Sequence, residues 1–266
     1  MLDQCRVEPG SDARLAHRAT DATLGLDKAD ADRKLAKIHA RLGDLHNRLW
    51  AEHARAVLLV LQGLDASGKD GTIKRVFAGL NPQGCEVHSF KAPTSPELDH
   101  DYLWRIHEVL PPRGGIGIFN RSHYEDVATA QVVGAIDAHQ RKRRYEHING
   151  FERMLHDEGT TVVKVFLHVG KDEQRKRLQA RLEDPAKRWK FRRDDLTVRS
   201  QWDEYTDLYD AALTATSTKW APWYVVPADH KWVSGIVVAH LLATTLEDMD
   251  PKIPPAQEDL TGIVVE

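Results

Sequence analysis

The stretch AVLLVLQGLDASGKDG, residues 56–71, contains the two features that decide the fold. Its first six residues are all apolar, which is typical of a parallel strand covered by helices on both faces. Gly63 to Lys69 then match the pattern G-x-x-x-x-G-K, a loop that binds phosphate when a strand precedes it and a helix follows. The stretch therefore predicts a strand, a phosphate-binding loop and a helix in succession.

The chemistry of this loop depends on its backbone. Glycines let the chain curl so that successive amide N–H groups point at phosphate oxygens, and the next helix adds its positive dipole. Lys69 would neutralise phosphate charge, while Asp65 and Asp70 are candidate metal ligands, Asp70 standing where Ser or Thr is usual. The other candidate phosphate contacts are Gly63, Ala66, Ser67, Gly68 and Gly71. The alternative is a strand-to-helix turn that binds no ligand. Phosphate binding is favoured because the apolar strand, the spacing of the glycines and the lysine occur together here.

Strand and helix patterns alternate along the rest of the chain. Strands are predicted at 86–90, 116–119, 161–169 and 223–226, and helical stretches at 97–109 and 139–158. This alternation predicts an α/β fold in three layers, a parallel sheet flanked by helices, with a helical lid. An earlier helix carries one apolar stripe, which suits packing within the subunit or an oligomer contact: Leu35, Ile38, Leu42, Leu45 and Leu49.

We predict a single domain that spans residues 1–266. Residues 1–27 are expected to form an N-terminal extension, 28–54 the amphipathic helix, and 171–199 a basic lid. Residues 251–266 are expected to form an extended tail, because three prolines near its start prevent regular hydrogen bonding.

A second polar cluster, NRSHYED at residues 120–126, follows the predicted strand that ends at Phe119. Polar groups at the carboxyl end of a parallel strand usually face a ligand. Arg121 could donate two hydrogen bonds to one phosphate, and Asn120 could orient a water or a phosphate oxygen. The acids Glu125 and Asp126 join Asp65 and Asp70 as metal candidates, whereas His123 and Tyr124 are expected to pack or to cap the next helix.

Residues 171–199 carry eleven Lys or Arg against six acids, a local charge of +5. Arg177 and Arg181 share one face of a predicted helix, and Asp184-Pro185 should end that helix before a loop. That loop contains Lys187, Arg188 and Lys190. Beside a phosphate-binding loop, this region is interpreted as a lid that closes on phosphates. A basic run at residues 141–144 is interpreted as a solvated helix face.

Whole-chain composition narrows the class of protein. The 266 residues carry a formal charge of -3, and no recognised nucleic-acid motif appears, so nucleic acid is not the expected ligand. Cys5 and Cys85 are too few for a disulfide framework. No signal peptide or apolar run of about 20 residues is present, so a cytoplasmic protein that does not insert into membranes is expected.

Several longer blocks resemble the polyphosphate kinase 2 family. GLDASGKDGTIK, NPQG, SFKAPT, DYLWRIH, FNRSHYEDV, RLEDPAKRWKF and APWYVVPADHKW occur in the order seen in that family, over roughly residues 27–250. The resemblance implies a P-loop kinase-like fold and reversible transfer of the terminal phosphoryl of polyphosphate to a nucleotide, with Mg²⁺ as cofactor and Mn²⁺ as a substitute. It also implies that family members commonly form homo-oligomers.

The resemblance also assigns site residues. Asp65 and Lys69 match the family's loop acid and lysine, Arg121 its second-motif arginine, Arg181 its lid arginine and Asp195 a post-lid acid. Many members have Asp in place of Asn120, and the form found here resembles class III, which phosphorylates nucleoside mono- and diphosphates. Conversion of AMP to ADP and of ADP to ATP is therefore expected, with guanine nucleotides as further acceptors.

Two other functions fit the same residues. An ATP-dependent nucleoside monophosphate kinase would use the same loop and lid, and the identity of the donor separates it from a polyphosphate enzyme. A non-catalytic nucleotide-binding module is suggested by the missing acid at Asn120 and the missing hydroxyl at Asp70.

Overall fold

Residues 56–62 form an interior strand of a six-stranded sheet in the computed structural model, which describes residues 1–256, 258–259, 261 and 263–265. The strands are β1 (Arg6–Val7), β2 (Ala56–Gln62), β3 (Cys85–Ser89), β4 (Ile116–Asn120), β5 (Thr160–His168) and β6 (Trp223–Pro227). Their order is β1-β6-β5-β2-β4-β3, and every neighbouring pair is parallel except β1 with β6. All of β2 is buried, as its apolar run predicted.

Helices cover both faces of this sheet. They are α1 (Leu2–Cys5), α2 (Ala31–Glu52), α3 (Lys69–Val76), α4 (Ser95–Leu98), α5 (Trp104–His107), α6 (Ala128–Val132), α7 (Ala138–Asp157), α8 (Lys171–Glu183), α9 (Asp194–Ser200), α10 (Trp202–Thr216) and α11 (Lys231–Met249). Alternate residues of β2 enter two separate cores: Leu58 and Val60 pack with α7 and α10, whereas Leu59 and Leu61 pack with α2 and α11. The predicted three-layer α/β fold is confirmed.

The apolar stripe of α2 packs inside the subunit. Leu42, Leu45 and Leu49 are buried, and Leu35 and Ile38 are partly buried against the same core, which includes residues of α11. The stripe is therefore used within the subunit at Leu42, Leu45 and Leu49.

Two local features differ from the sequence predictions. The stretch 97–109 does not form one helix, because Asp101 accepts a hydrogen bond from the backbone N–H of Leu103 and separates α4 from α5. The N-terminal segment 1–27 adds the short edge strand β1, and it buries Cys5, Val7 and Leu15. A two-residue strand is too short to leave a period in the sequence.

The C-terminal segment carries no helix or strand between residues 251 and 256. The predicted tail also includes Gln257, Leu260, Gly262 and Glu266, which lie outside the described residues. Of the helices in the described ranges, none combines the length and apolar character that crossing a membrane requires.

Candidate active site

The phosphate-binding loop leaves β2 at Gly63 and enters α3 at Lys69. Three of its residues have positive φ: Gly63 at 147°, Ala66 at 61° and Gly68 at 107°. A Cβ at Gly63 would lie 2.7 Å from the carbonyl oxygen of Leu167, so only glycine fits there. The loop thus curls tightly at the carboxyl end of the sheet, immediately before a helix N-terminus, where anions bind.

Lys69 folds back over this loop. Its ammonium donates hydrogen bonds to the carbonyl oxygens of Gly63 at 2.7 Å and Leu64 at 3.4 Å, and to Ser67 Oγ at 3.5 Å. Burial, and next the nearby charge of Arg121, lower the pKa of Lys69 to about 8. The ammonium therefore lies inside the curl of the loop, in a setting that favours an anionic partner.

An ion pair joins the loop to the second polar cluster. Arg121 donates a hydrogen bond to Asp65 Oδ1 at 2.6 Å. Arg121 has a φ of 63°, and its backbone N–H donates to the carbonyl oxygen of Leu61 at 3.0 Å, which fixes it beside β2. Two residues predicted as catalytic thus meet at the loop, although they are 56 positions apart.

A second set of contacts joins the loop to the lid. Asp70 accepts a hydrogen bond from the Asn120 amide at 2.9 Å, and the Lys190 ammonium lies 3.3 Å from its other carboxylate oxygen. Burial alone would raise the pKa of Asp70, but these hydrogen bonds outweigh it and leave that pKa below its usual value. The Asp70 carboxylate therefore contacts both the last residue of β4 and the lid.

The other lid residues contact neighbours within the lid or interact with the loop. Lys187 pairs with Asp184 at 2.6 Å, and Arg188 Nε donates to the carbonyl oxygen of Leu182 at 2.8 Å. Burial and the nearby charge of Asp65 raise the pKa of Asp195, and the charge of Arg181 opposes that rise. Asp195 therefore lies within electrostatic range of both Arg181 and the loop acid Asp65.

Arg177 lies beneath the loop and not on the surface of the lid. Its guanidinium donates to the carbonyl oxygens of Ala66 and Ser67, both at 3.0 Å, and of Ala228 at 2.6 Å. Its Nε donates to Glu173 at 2.8 Å. These contacts occupy the buried guanidinium and differ from the expected contact with polyphosphate.

Two acids of the second cluster also have protein partners. Asp126 pairs with Arg105 at 2.9 Å, and burial raises the pKa of this carboxyl. Glu125 accepts hydrogen bonds from Thr129 Oγ1 at 2.7 Å and from Tyr209 OH at 3.2 Å. Asp65 and Asp70 belong to the loop and to the first turn of α3, so they are the first candidates for a cation shared with bound phosphates.

The metal candidates suit Mg²⁺ on their donor chemistry. Mg²⁺ prefers oxygen ligands and is commonly held by one or two carboxylates together with substrate phosphates. Asp65 and Asp70 supply such carboxylates at the loop, each now paired with a cation, Arg121 or Lys190. Within the described ranges, no three His, Cys, Asp or Glu side chains cluster as a metal cage. The arrangement fits a cation shared with bound phosphates.

Gln174 is a site residue that the sequence did not indicate. It is fully buried, and its amide donates to the carbonyl oxygen of Asp65 at 2.9 Å and accepts from Arg199 at 3.0 Å. A neutral residue within a charged helix gives no signal of its own, so only the packing of α8 against the loop reveals it.

His123 and Tyr124 lie in a buried polar cluster behind the site, as their predicted packing role requires. Lys164 in β5 donates to Glu152 at 2.6 Å and to Tyr124 OH at 3.0 Å, and Tyr124 donates to Glu152 at 2.8 Å. The side chains of Lys164 and Glu152 are both 0% exposed. Burial alone would raise the pKa of Glu152, but the Lys164 ammonium outweighs it and the net shift is downward.

Lys164→Met is expected to lower the free energy of unfolding by about 3–5 kcal/mol, because it leaves the Glu152 carboxylate buried without a cation. The double variant Glu152→Leu/Lys164→Met removes both charges and should recover much of that loss. Urea unfolding of both proteins measures the two values. A single variant that costs less than about 1 kcal/mol would contradict the ion-pair assignment.

Known proteins resemble this chain over most of its length. Residues 25–254 match the family model described as polyphosphate kinase 2. The chain is 48% identical to an AMP/ADP-polyphosphate phosphotransferase of Meiothermus ruber, over 100% of both chains. It is 46% identical to an ADP-polyphosphate phosphotransferase of Rhodopseudomonas palustris, over 80% of this chain and 78% of that one.

A solved structure gives the same result in three dimensions. The crystal structure of polyphosphate kinase 2 from Arthrobacter aurescens TC1 superposes with a TM-score of 0.92 at 45% sequence identity. The superposition covers 96% of this chain and 92% of that one. The similarity therefore includes the loop, the second polar cluster and the lid together.

Proposed function

Because the chain belongs to the polyphosphate kinase 2 family, we propose that it transfers phosphoryl groups between inorganic polyphosphate and the nucleotides AMP and ADP. The observation that carries this proposal is the full-length similarity to the Meiothermus ruber enzyme, whose name states both nucleotides. The chain is a phosphotransferase, and polyphosphate-dependent nucleotide phosphotransfer is its activity. We further propose class III specificity, with guanine nucleotides as further acceptors. We also propose that Mg²⁺ is the natural ion and that Mn²⁺ can substitute for it.

The donor phosphates would lie on the loop. Backbone N–H groups between Gly63 and Lys69, with the N-terminus of α3, would bind the terminal phosphoryl. The Lys69 ammonium would exchange its carbonyl partners for phosphate oxygens, and lid cations such as Lys190 would hold the following phosphates. A divalent ion, when bound at Asp65 and Asp70, would supply further positive charge to the phosphates.

In the transfer, an oxygen of the nucleotide's terminal phosphate forms a bond to the terminal phosphorus of polyphosphate. The bond from that phosphorus to its bridging oxygen breaks, and the shortened chain keeps the electron pair. Arg121 and Arg181 would stabilise the charge on the transferring group. The structure holds Arg121 against Asp65 at 2.6 Å, so that pair must loosen when phosphate arrives. No covalent protein intermediate is needed.

The identity of the donor is the direct test. Purified protein with Mg²⁺, long-chain polyphosphate and AMP should form ADP and then ATP. Chromatography of the nucleotides measures both products. The same protein with ATP and AMP but no polyphosphate is the matched control. ADP formed only in the control would indicate an ATP-dependent monophosphate kinase. Absence of product with every nucleotide would indicate a binding module.

We also propose where the protein is located and how it assembles. We propose a cytoplasmic homo-oligomer that does not take nucleic acid as a ligand. Size-exclusion chromatography with light scattering measures the subunit number.

A further inference from the structure

The side chain of Gln174 joins the phosphate-binding loop to α9 of the lid. The carbonyl oxygen of Asp65 in the loop needs a donor, and the guanidinium of Arg199 in α9 needs an acceptor. The Gln174 amide serves both, since its nitrogen donates to Asp65 at 2.9 Å and its oxygen accepts from Arg199 at 3.0 Å. A carboxylate or an ammonium at this position would suit only one side. We call these two hydrogen bonds the Gln174 bridge.

The bridge lies against the first turn of α8. Gln174 is fully buried, and its backbone N–H donates to the carbonyl oxygen of Gly170 at 2.9 Å. Arg199 also donates to the carbonyl oxygen of Lys171 at 2.7 Å. Only two residues separate α8 from β5, so this turn is fixed at the carboxyl edge of the sheet. The bridge therefore has a firm support.

At the loop end, the bridge holds the peptide between Asp65 and Ala66. Ala66 has a φ of 61°, a backbone conformation that residues other than glycine rarely adopt. The bond from Gln174 stabilises this peptide and so limits where the Asp65 carboxylate can lie. That carboxylate accepts the hydrogen bond from Arg121 at 2.6 Å. The position of Arg121 thus depends in part on Gln174.

At the lid end, the bridge holds one face of α9 toward the loop. Arg199 lies one helical turn after Asp195, so the two residues share that face. The charge of Asp65 acts on the Asp195 carboxyl, which places this face of α9 near the loop acid. Holding Arg199 therefore holds Asp195 near the loop as well.

We propose that Gln174 is a positioning residue for phosphoryl transfer, which keeps Asp65 and Arg121 in place and ties their position to α9 through Arg199. The inference rests on the proposed function for the reaction itself, and it adds a connection between the loop and the lid. Because the amide acts through Asp65 and Arg199, its loss should lower kcat more than it weakens phosphate binding.

Steady-state rates with polyphosphate and ADP test the positioning role. Gln174→Met has a similar length but lacks both hydrogen bonds, and its kcat should fall about tenfold. The KM for polyphosphate and the Kd of tripolyphosphate should each change by less than about twofold. Gln179→Met, on the exposed face of the same helix, is the matched control and should keep the parent rate. A normal kcat in Gln174→Met, or an equal loss of tripolyphosphate binding, would overturn the role.

Arg199→Ala tests the connection to the lid. Alone it should lower kcat about threefold, since it removes one hydrogen bond of the bridge. Combined with Gln174→Met it should cause no further loss, because both changes break the same bridge. A double variant that loses the product of the two effects, about thirtyfold, would refute the connection, and so would a parent rate in Arg199→Ala.

Hydrogen exchange without substrate tests the bridge independently of turnover. Gln174→Met should speed exchange of the α9 amides, because Arg199 loses its acceptor. Gln174→Glu keeps an acceptor for Arg199 but has no donor for Asp65, so it should leave α9 exchange near the parent value and still lower kcat. Equal α9 exchange in Gln174→Met and the parent would overturn the bridge. If the parent shows no turnover from polyphosphate, the proposed function is refuted, whereas faster α9 exchange in Gln174→Met would still establish the bridge.

Discussion

Arg121→Ala is expected to lower kcat for phosphoryl transfer by about 10³-fold, the effect of removing an arginine that stabilises transition-state charge. The physical reason is its position: Arg121 lies beside β2, 2.6 Å from Asp65 at the mouth of the loop. Its positive φ of 63° and its backbone bond to Leu61 fix the residue there. Steady-state rates with polyphosphate and ADP measure the effect.

Two control variants test whether the loss of rate is specific to the Arg121 guanidinium. Arg121→Lys keeps a positive charge but loses the paired donor geometry of a guanidinium, so it should recover only a small part of the rate. Arg153→Ala removes an exposed arginine of α7 that pairs with Asp157, and its rate should match the parent. If Arg121→Ala loses less than about tenfold in kcat, the residue belongs to the Asp65 ion pair alone and not to the transition state.

Lys69→Ala is expected to lower kcat/KM for polyphosphate by about 10³-fold, because it removes the only ammonium that lies inside the curl of the loop within the described chain. Lys74→Ala, an exposed lysine of the same helix, is the matched control and should retain the parent rate. Near-normal turnover of Lys69→Ala would refute the assignment of the loop as the donor site.

Lys69 also links phosphate binding to pH. Its pKa of about 8 lies below the ordinary lysine value because the ammonium is buried, so the ligand-free protein loses that proton as pH rises through 8. Phosphate stabilises the ammonium, so binding at pH 8 should take up about half a proton at this site, and affinity should fall at higher pH. Calorimetry of tripolyphosphate in buffers of different ionisation enthalpy measures the uptake. Lys69→Ala should lack this component, and equal uptake in both proteins would contradict it.

Charge patterns alone were a poor guide to the direction of each side chain. Arg177 and Arg181 are four residues apart on α8 and were predicted to share one basic face. Arg177 instead donates to the loop's own carbonyl oxygens, since α8 packs that side chain against residues 66–67. Asp126, which the sequence offers as a metal candidate, is likewise paired with Arg105. A sequence reports the charge of a residue but not which neighbour it will face.

Local properties of the chain were enough to predict the strand, the loop and the helix that follows. An apolar run of strand length and glycines at the curl act over a few residues, so the sequence contains them directly. The alternation of strands and helices determined the three-layer fold for the same reason. The second polar cluster and the lid were also indicated by their residues, and the resemblance to the polyphosphate kinase 2 family assigned roles to Arg121, Arg181 and Asp195 within them.

Only the tertiary structure decided which of these parts meet. Arg121 reaches Asp65 across 56 positions, and Lys190 reaches Asp70 across 120, because parallel strands bring their carboxyl ends to one edge. The buried pair of Lys164 with Glu152 and the Gln174 bridge also depend on elements that are distant in the chain. Such contacts are set by strand order and helix packing, and neither leaves a local pattern in the sequence.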